Sequence, residues 1–245
     1  MAPQAPRRRR TFHRRRTFRS NGDATHRASV CHVSARFDLV IFDNDGVLVD
    51  SEWHANGILA DLLCEAGLPS TRESCIAEYM GSTMARVREI AEVRLGRALP
   101  RDLEDRYHAR LFDAFRTQLT AVPGVTDALT RIVIPTCVAS SGTHERIRLA
   151  LTTTGLLPRF DGRIFSAQDV ARGKPEPDLF LHAAKSLGVR PAHCAVIEDS
   201  PLGVEAANRA GMTAFGFARM MPAERLRDAG GGIFASMDAL PALLG

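Results

Sequence analysis

Hydrophobic positions along this chain follow two patterns, short apolar runs and longer stretches at helical spacing. Short runs of this kind are typical of strands that are buried on both faces of a parallel sheet. Six runs predict six strands, at residues 37–41, 136–139, 164–166, 195–197, 213–217 and 233–235. Helical stretches separate most of these runs, so the pattern predicts an α/β fold with a parallel sheet.

The longest helical region lies between the first and second predicted strands. After residue 52, four segments carry apolar residues at helical spacing, and glycine or proline residues separate them. These segments lie at about 53–63, 76–80, 87–95 and 103–119. We therefore predict that residues 54–121 form a four-helix domain, inserted into a core made of residues 37–53 and 122–245.

The first 36 residues differ from the rest in composition. They hold ten arginines and one acidic residue, a net charge of +9, which leaves −5 for the remainder of a chain whose total is +4. Because they have few apolar residues and no period, we predict a disordered extension, with the working protein beginning near Val33. Two Arg-Arg-Thr-Phe segments are similar to a twin-arginine export signal, but no apolar core follows them. An organellar transit segment and a tail that binds nucleic acid or phosphate nonspecifically stay open.

Cysteine spacing and hydropathy narrow the class of protein further. The five cysteines contain no Cys-x-x-Cys pair, which fits neither a zinc site nor a disulfide framework, so we expect a reducing, cytoplasmic location. No run approaches the roughly 18 apolar residues of a transmembrane helix. The acidic balance of residues 37–245 gives no support to a nucleic-acid-binding domain.

Two carboxylates follow the first predicted strand, two residues apart. Asp43 and Asp45 are followed at once by Gly46, which lets the chain turn away sharply. Ligands bind at the carboxyl ends of strands in open α/β sheets. Two aspartates there repel each other unless a hard cation such as Mg²⁺ shares their charge. Asp-Asn-Asp-Gly alone is also common in turns, so the interpretation depends on elements further along the chain.

Three later elements place chemically active residues near strand ends. Ser140 and Ser141 follow the second strand, where hydroxyl and N–H groups suit an anion, although a residue there can also cap the next helix. Lys174 is one of only two lysines in an arginine-rich chain, which indicates a need for a compact charge. Glu198 and Asp199 follow the fourth strand and form a second acidic pair.

With these four elements in this order, the chain resembles the haloacid dehalogenase superfamily, specifically its small-molecule phosphatases with a helical cap. The resemblance extends from residue 37 to about residue 240. It implies a Rossmann-like, three-layer α/β/α core, over which the four helices close as a cap. It also implies that Asp43 is the nucleophile and Asp45 the general acid and base. Mg²⁺ would be held by Asp43, the Asp45 carbonyl, Asp199 and Glu198.

The resemblance further implies the substrate contacts. Ser140 and Lys174 would hold the transferring phosphoryl group, together with neighbouring N–H groups. A loop in the cap would set specificity, and Arg86 there would bind a second anionic group unless it is an ordinary exposed helix arginine. The residues assigned to substrate binding are Gly46, Ser140, Ser141, Gly81, Ser82 and Arg86.

The implied reaction is Mg²⁺-dependent hydrolysis of a small-molecule phosphate ester, a sugar phosphate above all, through an aspartyl-phosphate. Dehalogenases generally lack the second aspartate, and this cap has no lysine for the Schiff base of phosphonate-cleaving relatives. A mutase of β-phosphoglucomutase type is the alternative, although the cap lysine of those enzymes is absent and His54 is offset by one residue from their histidine. Within the family, the chain resembles sugar-phosphate phosphatases such as 6-phosphogluconate phosphatase. A non-catalytic nucleic-acid or scaffold binder, acting through the arginine tail, is the alternative of another class.

Overall fold

Six parallel strands form the centre of the protein. The computed structural model describes residues 36–80 and 82–245. The strands are β1 (Leu39–Phe42), β2 (Thr136–Ser140), β3 (Ile164–Ser166), β4 (Cys194–Glu198), β5 (Thr213–Phe217) and β6 (Gly232–Phe234). They lie in the order β3-β2-β1-β4-β5-β6. This order confirms the predicted α/β fold with a Rossmann-like sheet, and every predicted strand is present within two residues of its expected bounds.

Five α-helices lie between β1 and β2, and six more follow in the rest of the described chain. The first four are α1 (Ser51–Glu65), α2 (Arg72–Tyr79), α3 (Met84–Leu95) and α4 (Leu103–Thr117). The others are α5 (Val125–Arg131), α6 (His144–Thr153), α7 (Leu157–Phe160), α8 (Asp178–Ser186), α9 (Pro201–Arg209), α10 (Ala223–Asp228) and α11 (Leu240–Leu244). None of these helices is long and apolar enough to cross a membrane.

Alternate residues of β1 pack on opposite faces of the sheet, as the two-residue period of a strand requires. Val40 and Phe42 belong to a hydrophobic cluster with residues of α5, α6 and α11. Leu39 and Ile41 belong to a second cluster, with residues of α8, α9 and α10. The sheet is therefore the middle of three layers, which explains why its strands read as continuous apolar runs.

Helices α1–α4, here called the helical insertion, have a hydrophobic cluster of their own, which includes Leu62, Tyr79 and Leu103. The chain enters and leaves the insertion at one place. The Asp50 N–H donates to the Thr120 carbonyl at 2.9 Å, and the Val122 N–H donates to the Leu48 carbonyl at 3.0 Å.

An ion pair also ties the entry of the insertion to the loop after β5. The Arg219 guanidinium donates to both oxygens of Asp50, at 2.8 and 2.6 Å. The predicted division into a cap, 54–121, and a core, 37–53 with 122–245, stays a prediction, and α1 already begins at Ser51. The expectations for residues 1–35 and for Gly81 lie outside the described residues.

The position of β1 at the middle of the sheet determines where a site can form. From β1 the chain continues to β2 on one side, and β4 lies on the other side. The loops after β1, β2 and β4 therefore meet at one edge, where the order of the strands reverses. In open α/β sheets this switch point is where ligands bind.

Shortening Ile41 should destabilise the whole fold. Its side chain is fully buried in the central strand, so Ile41→Ala leaves a cavity and should lower the free energy of unfolding by about 2–5 kcal/mol in urea titrations. The matched control is Val133→Ala, because Val133 is 93% exposed, and surface changes of this kind stay within about 0.5 kcal/mol. Equal stability of the two variants would contradict the central position of β1.

Candidate active site

The loop after β1 places Asp43 at the carboxyl edge of the sheet. Asp43 follows Phe42 directly, and its N–H donates to the Ile197 carbonyl of β4 at 2.9 Å. Gly46 then turns the chain with a φ of +75°. A Cβ at this position would lie 1.8 Å from the Oδ2 atom of Asp199. Glycine is therefore required twice here, for the left-handed backbone and for the room that Asp199 occupies.

Lys174 joins the ends of three strands. Its Nζ donates to the Oδ1 atom of Asp43 at 2.6 Å, to the Oε1 atom of Glu198 at 2.5 Å and to the Ala139 carbonyl at 3.3 Å. All three charged side chains are buried, a state that is tolerated only when charges are paired. Burial disfavours the ammonium charge, but the Asp43 and Glu198 carboxylates outweigh burial and raise the pKa of Lys174 above its ordinary value.

Three carboxylates converge beside this lysine. Asp43, Glu198 and Asp199 each offer an oxygen, and these oxygens lie within 4.8 Å of one another. Burial, together with repulsion from Glu198 and Asp45, raises the pKa of Asp43 to about 7 although Lys174 opposes the shift. Burial and the charges of Glu52, Glu198 and Asp43 likewise raise the pKa of Asp199.

The cluster thus contains one ammonium and three carboxylates, so its negative groups outnumber its positive group. A group of carboxylate oxygens is the donor set that hard divalent cations prefer. The residues present therefore fit a cation, as the two acidic pairs predict.

Glu198 fits into a close contact between β4 and α9. Its Oε2 atom accepts from the Ser200 N–H at 3.2 Å and from the Ser200 hydroxyl at 2.9 Å. A Cβ on Gly203 would lie 1.9 Å from the Glu198 carboxyl carbon. The Ser200 hydroxyl also accepts from the Gly203 N–H at 3.1 Å and so caps α9.

In the turn after β2, the structure shows which residue caps the next helix, a role that the sequence left open between capping and anion binding. Thr143 caps α6, because its hydroxyl accepts from the Arg146 N–H at 3.2 Å. The buried Ser140 hydroxyl instead accepts from the Gly142 N–H at 3.2 Å, and Ser141 lines a cavity beside Asp45. Because Thr143 is the helix cap, both serine hydroxyls are left for other partners. Their predicted contacts with substrate stay predictions.

The cavity, of about 350 Å³, lies between this edge of the sheet and the helical insertion. Ser82 lines it, and its predicted contact with substrate stays a prediction. Arg86 does not; its side chain is more than half exposed and pairs with Glu89 at 2.6 Å on the same helix. His54 lines a separate groove on the insertion. A role for Arg86 in substrate binding stays a prediction.

Two charged residues of the cavity were missed by sequence reasoning. The Arg146 Nη2 atom donates to the Oδ1 atom of Asp45 at 3.0 Å, and nothing local distinguishes Arg146 from the other arginines. Glu52 lies in the first turn of α1, where an acidic residue is also favoured by the helix dipole. Burial beside Asp45 raises the pKa of Glu52, an environment that only the folded chain reveals.

The family model described as haloacid dehalogenase-like hydrolase matches residues 37–211. The chain belongs to this family. The match includes the Asp43–Asp45 loop, Lys174 and the Glu198–Asp199 pair, and it confirms the resemblance predicted from these elements.

Individual members agree with this assignment. The 6-phosphogluconate phosphatase of Escherichia coli (strain K12) is 30% identical over 184 residues, which cover 75% of this chain and 83% of that protein. A haloacid dehalogenase-like protein of unknown function from Agrobacterium tumefaciens strain C58 has a TM-score of 0.81 and 38% identity, over 85% of this chain and 97% of its own. A hydrolase of the same family from Deinococcus radiodurans R1, with bound phosphate and sodium, has a TM-score of 0.76 and 32% identity, over 86% and 96%.

Adding one methyl group at Gly203 should disturb the carboxylate cluster. Gly203→Ala forces the buried Glu198 carboxylate and α9 apart, and overpacking of this kind costs about 1–3 kcal/mol. Urea titration should show this loss. The control Gly232→Ala adds a Cβ at ordinary contact distances, 3.5 Å or more, from its nearest neighbours. If both variants unfold at the same urea concentration, α9 and the Glu198 carboxylate have room for an added methyl group, which would contradict the 1.9 Å approach at Gly203.

A divalent cation should stabilise the folded protein, because it relieves the repulsion among the three carboxylates. Mg²⁺ at about 100 times its Kd should add about 2.7 kcal/mol, measurable as a rise in Tm. Asp199→Asn should raise the Tm of the metal-free protein and remove the Mg²⁺-dependent rise. Asp113→Asn, at a side chain that is 80% exposed, should change neither. A native Tm that does not respond to Mg²⁺ would argue against a cation site.

Proposed function

We propose that this protein is a Mg²⁺-dependent phosphatase that hydrolyses a small phosphomonoester, a sugar phosphate in particular, through an aspartyl-phosphate on Asp43. The observation that carries the proposal is the buried Asp43 carboxylate, held at 2.6 Å by Lys174 and two residues before Asp45, which lines a cavity of about 350 Å³. The named activity of the E. coli relative and the phosphate in the D. radiodurans structure support it.

Asp43 and Asp45 divide the chemistry between them. A carboxylate oxygen of Asp43 attacks phosphorus, and the bond from phosphorus to the ester oxygen breaks. Asp45 gives its proton to that oxygen, so an alcohol leaves. Asp45 then takes a proton from the water that attacks the phosphorus of the aspartyl-phosphate. The bond from phosphorus to Asp43 breaks, and inorganic phosphate leaves.

Positive charge at the site has to offset the repulsion between the Asp43 carboxylate and the phosphate of the substrate. Lys174 lies next to Asp43 and stabilises the charge that spreads over the phosphoryl oxygens. The Ser140 hydroxyl and the N–H groups of the turns after β1 and β2 supply further hydrogen bonds. Mg²⁺, held by Asp43, Asp199, Glu198 and the Asp45 carbonyl, would reduce the repulsion between the nucleophile and the phosphate.

Two features favour water, rather than a second sugar hydroxyl, as the final acceptor. His54, the nearest counterpart of the mutase histidine, lines a groove away from the cavity. The insertion contains no lysine that could take the place of the mutase lysine. We infer that residues 54–121 act as a cap that selects the alcohol part of the substrate, while the edge of the sheet performs hydrolysis.

Removal of the proposed nucleophile should abolish activity. The native chain should release phosphate from a panel of sugar phosphates and from p-nitrophenyl phosphate, in the presence of Mg²⁺ only. Asp43→Asn should lower kcat by roughly 10³-fold or more, because an amide does not form the covalent intermediate. Asp38→Asn, near the other end of β1 at a carboxylate that is 59% exposed, serves as the control.

The other outcomes each contradict part of the proposal. If no phosphate appears but β-glucose 1-phosphate becomes glucose 6-phosphate, the chain is a mutase. Full activity of Asp43→Asn would exclude the aspartyl-phosphate. If the native chain releases phosphate from no member of the panel, the proposed substrate class is wrong.

A further inference from the structure

Arg146 lies where the phosphate turn and the cavity meet. It belongs to the first turn of α6, and Thr143 holds its N–H at 3.2 Å. Ser140, the proposed phosphate contact, precedes the same turn. Arg146 also contacts Asp45 at 3.0 Å and lines the same cavity, so a ligand in that cavity can reach Arg146 while its phosphoryl group lies at the end of β1.

The Arg146 guanidinium has hydrogen-bond donors that the described residues do not use. Its Nη2 atom donates to Asp45, and its carbon lies 5.1 Å from the centre of the Phe115 ring. The Nε atom is buried, and it has no hydrogen-bond partner among the described residues. A guanidinium presents five donors in a planar fork that matches a carboxylate or phosphate. The attraction of Asp45 raises the pKa of Arg146, so the positive charge persists.

The space around Arg146 suits a polar ligand of several carbons. Arg146 and Asp45 line the cavity of about 350 Å³. Tyr79 lines it too; its side chain is 4% exposed, and its hydroxyl has no partner among the described residues. Asn56 is also buried in this wall, with its amide donating to the Glu52 carboxylate at 3.2 Å. These groups are suited to bind hydroxyls between two charged ends.

We propose that Arg146 is a specificity-determining residue, which binds a second anionic group on the part of the substrate that leaves. The inference rests on the proposed phosphatase function and narrows its substrate class to phosphate esters with a carboxylate or a second phosphate. In the structure the Asp45 carboxylate holds the place of that anion on Nη2. Arg86, the arginine that the sequence predicted for this role, is exposed and paired with Glu89.

The test compares pairs of substrates that differ by one anionic group. The first pair is 6-phosphogluconate and sorbitol 6-phosphate, which differ in a carboxylate and a hydroxymethyl group. The second is fructose 1,6-bisphosphate and fructose 6-phosphate, which differ in the second phosphate. The kcat and KM values of the native chain, Arg146→Met and Arg146→Lys are measured on all four. Arg148→Met is the control, because Arg148 lies on the same helix, half exposed and paired with Asp161.

Loss of the Arg146 guanidinium should weaken the binding of one substrate in each pair, the one with the second anionic group. Arg146→Met should raise the KM of the member with the second anionic group by about 10- to 100-fold, as expected for hydrogen bonds between charged groups. The KM of the member without that group should rise by less than about threefold. A kcat change that is common to all four substrates would report the lost contact with Asp45. Arg146→Lys should restore the KM for fructose 1,6-bisphosphate more fully than the KM for 6-phosphogluconate, because an ammonium binds as a point charge and lacks the planar fork of a guanidinium.

Two results would overturn the inference without affecting the proposed function. One is a native chain that hydrolyses both members of each pair with equal kcat/KM. The other is an Arg146→Met variant that loses the same factor on both, since Arg146 would then only position Asp45. Failure of the native chain on every sugar phosphate and on p-nitrophenyl phosphate would instead reject the phosphatase. The Tm values of the variants verify that each is folded.

Discussion

The ammonium of Lys174 is the contact on which the candidate site depends. It lies between carboxylates at the ends of β1 and β4 and also reaches a carbonyl of β2. Removing one partner of a buried ion pair leaves an uncompensated charge, which costs several kcal/mol. The three central strands therefore cannot shift along one another without breaking these bonds. The sheet brings the strand ends close, and the lysine fixes the distances between them.

The same contact leaves a deficit of charge that accounts for the chemistry. Lys174 satisfies one oxygen of Asp43 and one of Glu198, whereas the described side chains offer Asp199 no ion pair. Under the proposed function, a cation and a phosphate would enter together, because each lowers the electrostatic cost of binding the other. Gly46 and Gly203 make this density of carboxylates sterically possible, since a side chain at either position would overlap an acid.

Much of this arrangement could be predicted from the sequence, for identifiable reasons. The apolar runs predicted every strand, and residues next to a strand end have little freedom in where they lie. Asp43, Glu198 and Asp199 were found in this way, and Lys174 was found by its rarity. Arg146 and Glu52 belong to helices, where a side chain's role depends on which neighbour the helix faces. Arg86 was chosen on its position near the cap loop, without weighing Glu89, which the i,i+3 spacing of a helix already places beside it.

The paired connections at Asp50–Thr120 and Leu48–Val122 have a consequence for how this protein can change. Because the two ends of the insertion lie side by side, the intervening helices can lengthen, shorten or be exchanged while the strands keep their register. A substituted segment would need the same two hydrogen bonds and the Asp50–Arg219 pair at its base, together with apolar residues in the places of Leu111 and Phe115, which pack in the core cluster. Under the proposed function, the share of selectivity that the insertion contributes can diverge by recombination of one contiguous segment, whereas the residues proposed for hydrolysis, spread over four distant parts of the chain, must be inherited together.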